Sequence, residues 1–148
     1  MTSVLIAEDD LMIADMLEDT LVEHGYKVCG IARTVDKAIA LGRLHNPDFA
    51  ILDLRLAEGG LGTEIAVELA ASGRTGILYA TGNVAQFDFC AVQGDACLAK
   101  PFRSSDILRS LEIVAEIVAT GTASPPYPQG LRLLHPVSPA VPEIHDDR

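Results

Sequence analysis

Little in this chain of 148 residues suits it to bind a polyanion. Its 11 Lys and Arg are scattered among 21 Asp and Glu, for a formal net charge of −10, whereas a nucleic-acid partner calls for clustered cations that release counterions. Tryptophan is absent and only seven residues are Phe or Tyr, so a core here has to be aliphatic. The three cysteines, Cys29, Cys90 and Cys97, have neither CxxC spacing nor an even count. That excludes a zinc ribbon or a disulfide framework and leaves free thiols in a reducing compartment. No apolar run is long. "MTSVLIAEDD" reaches carboxylates after four or five apolar residues, too few for a signal-peptide core or a membrane span, and a cytoplasmic location is expected. A Walker-type phosphate loop is missing as well: "EGGLG" (58–62) lacks the Lys-Ser/Thr and the helix-opening spacing, and reads as a flexible strand-to-helix loop.

What the chain does have is apolar content, 49% of it, enough for one domain with a proper core. Short apolar runs recur as "VLIA" (4–7), "KVCGIA" (27–32), "FAILDL" (49–54), "GILYA" (76–80) and "ACLA" (96–99). Runs this short, apolar on both faces and bounded by turn residues, read as buried parallel strands. Helical spacing lies between them, over 11–24, 36–45, 63–72, 85–93 and 104–119. In the first helix Ile13, Ala14, Leu17, Leu21 and Val22 share a face and Gly25 is a stop. The last aligns Ile107, Leu108, Leu111, Val114, Ala115 and Val118. Alternating strands and helices predict an α/β fold, a doubly wound five-stranded parallel sheet with five helices and its crevice at the carboxyl ends of the strands.

The domain is expected over 1–120. Residues 121–148, "GTASPPYPQGLRLLHPVSPAVPEIHDDR", hold six of the eight prolines and no sustained period. They read as an extended or disordered tail, in which the patch "LRLL" (131–134) has the means to dock.

At the carboxyl ends of the strands stand Glu8, Asp9 and Asp10, then Asp53, Thr81 and Lys100. Singly each has a plain explanation. Asp10 before a helix is an ordinary N-cap, Thr81 a turn hydroxyl, Lys100 a snorkelling lysine. Asp53 is harder to dismiss: an aspartate inside an apolar run is expensive without an ion or hydrogen bonds, although a structural Asp53–Lys100 pair would satisfy it. Together, at four strand ends, they bring carboxylates, a hydroxyl and an ammonium into one crevice. Glu8, Asp9 and Asp53, with a backbone carbonyl and waters, suit Mg²⁺ (or Mn²⁺). A carboxylate beside that ion can attack phosphorus to form an acyl phosphate. Lys100 and Thr81 can then hold the phosphoryl oxygens, and Gly82 leaves room for the group to approach.

At these positions the chain resembles the receiver domain of bacterial two-component response regulators. "VLIAEDD" is similar to the acidic first-strand motif, "AILDLRL" to the phosphoacceptor strand, "YATGN" to the Thr/Ser strand end and "LAKPF" to the Lys-Pro signature, in order, over about residues 3–120. The resemblance implies a flavodoxin-like strand order 2-1-3-4-5. It also implies that Asp53 accepts phosphate from a sensor histidine kinase or histidine phosphotransfer protein, that Glu8, Asp9, Asp53 and the Arg55 carbonyl hold Mg²⁺, and that Thr81, Gly82 and Lys100 contact the phosphoryl group. The Lys100–Pro101 bond is expected to be cis, and Arg55 and Asn83 occupy positions that tune phosphate hydrolysis in the family.

Three departures stand out. Cys97 takes the place of an aromatic that, in the family, moves with the threonine to report phosphorylation. "GILYATG" is similar to the alphaproteobacterial Phe-Ala-Thr-Gly (FAT GUY) subgroup, which lacks that aromatic, with Tyr79 where the phenylalanine stands. Ala57 replaces a common proline in a loop one residue longer than usual. With no output domain legible, the expected role is that of a single-domain regulator. It would signal through protein contacts on the face of the fourth and fifth expected helices and fifth strand, where Phe87, Phe89, Val92 and Ile107 are candidates and a homodimer is expected. Phe102 reads as a packing residue. The alternative is a receiver-like interaction module that acts without phosphorylation. An aspartyl phosphatase would need an acid two residues after Asp53, where Arg55 stands. A flavin module would need a phosphate-cradling loop after the first strand.

Overall fold

The computed structural model describes residues 1–82 and 92–135, together with the backbone of 138–139. Its elements run β1 (Ser3–Ala7), α1 (Leu11–Glu23), β2 (Lys27–Ala32), α2 (Val35–His45), β3 (Phe49–Leu52), a 3-10 turn (Ala57–Gly59), α3 (Gly62–Ser72), β4 (Gly76–Thr81), β5 (Ala96–Ala99), α4 (Ser104–Thr120), β6 (Thr122–Ala123), β7 (Leu131–Leu133) and β8 (Ser138–Pro139). The strands β2-β1-β3-β4-β5 form a parallel sheet in that order, the doubly wound α/β arrangement that the apolar runs predict. Four helices lie among the described residues. The expected helix over 85–93 falls almost wholly outside them, and at its end Val92 and Gln93 are in a loop.

Alternation along the strands sends side chains to two cores. Leu5 and Ala7 of β1 join Leu52, Ile77, Tyr79 and Cys97 beneath α2 and α3. Val4 and Ile6 turn the other way, to meet Leu78, Leu98, Leu17 and Leu21 of α1 and Ile107, Leu111 and Val114 of α4. Each fully buried aliphatic side chain is worth about 1.5–3 kcal/mol of transfer free energy, and both faces of the sheet are used. The face expected for α1 is narrower than its spacing predicts: Val22 is exposed, while Thr20 is buried. Ile107, a candidate for the output face, is wholly buried in the core beneath α4.

The tail departs most from expectation. Residues 131–133 form β7 and pair antiparallel with β5, Ala96 opposite Leu133, Cys97 opposite Arg132 and Leu98 opposite Leu131. The sheet thus gains a sixth strand of opposite direction. Ala123 and Leu134 are buried, and β6 pairs with β8 in a short second sheet. Proline richness obscured this because Pro125, Pro126 and Pro128 precede the strand, Pro136, Pro139 and Pro142 follow it, and none lies within it. The edge of β5 that was expected to take part in an output face is lined by the chain's own residues.

Candidate functional site

Strand ends in a parallel sheet share one edge, and this sheet brings the expected residues together there. Asp53 follows β3 directly, its amide donating to the Ala7 carbonyl at 2.9 Å. The Glu8 amide donates to the Ala32 carbonyl at 2.9 Å, and the Lys100 amide to the Thr81 carbonyl at 2.8 Å. Glu8, Asp53 and Lys100 are therefore each the first residue past a strand, fixed by a ladder bond to the neighbouring strand. Asp10 caps α1, accepting from the amides of Met12 at 3.0 Å and Ile13 at 3.3 Å, which is the capping role expected of it.

The Lys100 ammonium has two partners: Nζ lies 2.9 Å from Glu8 Oε1 and 3.2 Å from Asp53 Oδ2. Of the three carboxylates expected near it, Asp53 was the one named as its resting partner; the buried Glu8 stands closer. Oxygens of Glu8, Asp9 and Asp53 lie within 4.8 Å of one another, a set of hard carboxylate donors of the kind Mg²⁺ prefers. Burial pushes the Glu8 carboxyl up to about 7, against the pull of hydrogen bonds from Lys100 and the Asp10 amide, and the nearby Asp53 charge adds to the rise. At Lys100 burial disfavours the charge, yet the hydrogen bond and charge of Glu8, with those of Asp53, outweigh it and hold the ammonium above its ordinary value. Among the described residues, three carboxylates thus gather around the Lys100 ammonium, two of them bonded to it.

The rim is permissive at Gly82, where an added Cβ would meet nothing within 4 Å, while Thr81 is buried at the end of β4. Arg55 is exposed and forms an isolated bridge with Leu61. Together with the 3-10 turn and the bond from the Leu56 amide to the Gly60 carbonyl at 2.9 Å, it orders a loop that looked flexible from its glycines. Lys100–Pro101 is cis, as expected. Phe102 packs half-buried against the α1–α4 core. Asn83, Phe87 and Phe89 lie outside the described residues.

Cys97 is fully buried, with Tyr79 opposite it on β4 and Arg132 on β7. Burial drives its thiol up to about 12, with Arg132 opposing. Tyr79, also fully buried, donates its hydroxyl to the Gln93 carbonyl. Leu134 sits in the same cluster as both. The volume that a small residue at position 97 leaves free is thus filled by side chains from β4 and from the tail.

Residues 4–112 match the family model of the response regulator receiver domain. This chain belongs to that family. It is 34% identical over 114 residues to the transcriptional regulatory protein PdtaR of Mycobacterium tuberculosis, an alignment that covers 74% of this chain and 55% of that protein. It is 29% identical over 108 residues to the phyllosphere-induced regulator PhyR of Methylorubrum extorquens, covering 72% of this chain and 40% of PhyR. The receiver thus spans about half the length of the curated relatives it matches. Among solved structures it is similar to SdrG of Sphingomonas melonis Fr1, at 32% identity and a TM-score of 0.64, covering 78% of this chain and 97% of that one. The likeness to PhyR fits the Phe-Ala-Thr-Gly subgroup that the fourth strand resembles. No helix among the described residues is long and apolar enough to cross a membrane.

Proposed function

We propose that the receiver is a phosphorylation-driven signalling switch whose acceptor is Asp53, loaded by a sensor histidine kinase or histidine phosphotransfer protein. What supports this reading is one juxtaposition: three carboxylates within 4.8 Å of one another beside an ammonium that is bonded to two of them. An Asp53 carboxylate oxygen attacks the phosphorus of the donor. The bond from phosphorus to the donor's nitrogen or oxygen breaks, its electron pair leaves with the donor group, and an acyl phosphate remains on Asp53. Lys100, held between Glu8 and Asp53, shifts its ammonium to the incoming phosphoryl oxygens, and the Thr81 hydroxyl donates to another. Gly82 leaves the approach open.

Glu8, Asp9, Asp53 and the Arg55 carbonyl are the residues that would hold Mg²⁺ (or Mn²⁺). Bound there, the ion supplies positive charge for the phosphoryl oxygens. Arg55 and Asn83 occupy the positions that tune hydrolysis of the product in the family. Adding nearly two negative charges and several acceptors biases a two-state equilibrium of the surrounding loops, and the output is a change in protein contacts rather than catalysis.

Incubation with Mg²⁺ and acetyl phosphate, read by intact mass, is expected to add one phosphate to the wild type and none to Asp53→Asn. A variant that still gains it would overturn the assignment. A wild type that gains none under conditions that load another receiver would favour the interaction module that acts without phosphate.

A further inference from the structure

The tail of this protein is held by a set of contacts that the phosphate site does not need. Arg109 on α4 donates to the Ser124 carbonyl at 2.7 Å and the Pro126 carbonyl at 2.9 Å. Glu116, on the same helix, accepts from the Ser124 amide at 2.8 Å and its hydroxyl at 2.6 Å. Past these anchors the chain crosses to β5. The Gly130 carbonyl accepts from the Ala99 amide at 3.1 Å, the Leu134 amide donates to the Asp95 carbonyl at 3.1 Å, and His135 Nε2 lies 2.8 Å from the Val92 carbonyl. Leu131 and Leu133 lean on Ile113, Ile117 and Ala123, and Leu134 enters the opposite core.

The outer edge of β5 carries amides and carbonyls that only the tail pairs, and without β7 such an edge accepts another extended segment. Beside it α4 presents a second apolar row, Ile113 and Ile117, apart from the row that faces the sheet. The segment that fills this groove is short. Its ladder covers three residues of β7, Leu131 and Leu133 are only half-buried, and Arg132 is exposed. A three-residue edge strand of this kind has little free energy of its own, and connection to α4 supplies the rest.

We propose that the β5 edge and the Ile113–Ile117 row of α4 form a strand-accepting interaction surface. Its partner is a protein that offers an extended segment with apolar residues at alternating positions around a basic one, and residues 131–134, Leu-Arg-Leu-Leu, occupy the surface in cis as a stand-in for it. The cis segment defines the ligand chemistry: two apolar side chains against α4, a third turned to the opposite core, and a cation, which the net charge of −10 favours over long range. A tether of this length acts at an effective concentration on the order of millimolar, so a partner gains access once the tether's hold is weakened. The surface does not depend on Asp53 chemistry.

The test uses the full chain with no phosphodonor and a labelled synthetic peptide of residues 129–136. Leu131→Asp with Leu133→Asp weakens the cis segment without altering the groove, and Arg109→Ala with Glu116→Ala loosens the anchors should the first pair fail to fold by circular dichroism. A folded variant is expected to bind the peptide at least tenfold more tightly than the wild type, and binding is expected to restore slow hydrogen exchange at the Ala99 amide. A peptide carrying Asp at both leucine positions is expected not to bind. Binding no tighter than to the wild type, or binding that leaves the Ala99 amide unprotected, would overturn the proposal and would leave the phosphoacceptor reading untouched.

Discussion

A Cβ on Gly62 would stand 2.1 Å from the backbone carbonyl oxygen of Asp53. The first residue of α3 is therefore packed directly against the backbone of the acceptor, and the Gly62 amide is bonded to the Leu54 carbonyl at 2.8 Å. Neither backbone can yield without moving the other.

Gly62→Ala is accordingly expected to displace the loop that carries Asp53. Overpacking against backbone typically costs about 1–3 kcal/mol. Urea denaturation should show a loss of that size, and acetyl phosphate should load the variant more slowly than the wild type. Unchanged loading would mean that the Asp53 loop tolerates the shift.

Lys100→Met leaves Glu8 and Asp53 without their cation. Lys100 holds the Glu8 carboxyl down, so its removal raises that group further above the value of about 7 it has in the native protein. A carboxyl raised on folding contributes stability that is fully present below its unfolded value and is lost as pH rises through its folded value. The variant should therefore be more destabilised relative to wild type at pH 8 than at pH 5. Breaking a buried pair costs at most about 3–5 kcal/mol, less here because Lys100 is partly exposed. Equal deficits at the two pH values in chemical denaturation would contradict the coupling.

Leu134→Ala removes a side chain that is 5% exposed. Buried leucine truncations cost about 2–5 kcal/mol, so the melting temperature should fall by several degrees. A tail independent of the core would leave melting unchanged.

Cys97 is expected to resist alkylation in the native protein at pH 8, because its thiol is buried and raised to about 12. Peptide mapping after labelling distinguishes it from Cys29 and Cys90. The sign for stability follows from the same rise: the contribution is complete below the ordinary thiol value of 9.0 and is lost as pH climbs from there through about 12. Labelling of Cys97 before unfolding would count against burial beneath the tail.

The five parallel strands were legible because each is a short apolar run flanked by turn residues, and the site was legible because its charged residues sit at the ends of those runs. Asp53 and Lys100 stand out by chemistry, as charges where apolar residues prevail. Glu8 as the nearer partner of Lys100 was not legible, since an acidic triplet before a helix does not say which member turns inward. Gly62 escaped for a different reason. A glycine in "EGGLG" signals backbone freedom, and only the packed structure shows that this one is required for close approach. In the tail, leucines at 131, 133 and 134 were visible as a patch, but a three-residue strand is too short for a period, and surrounding prolines argued for disorder.

With β7 seated, the sheet ends in the three-residue β7 on one flank and in the longer β2 on the other. Nature has blunted that side: β2 starts with the exposed Lys27, and its register against β1 slips between Val4 and Leu5, a bulge that disfavours end-on stacking. Nothing comparable blunts β5, whose residues Ala96–Leu98 are all buried and uncharged. The tail is thus also a guard against self-association. Preparations cut within residues 124–130 should be the ones that precipitate on storage, and solubility becomes a simple gauge of whether the sixth strand is in place.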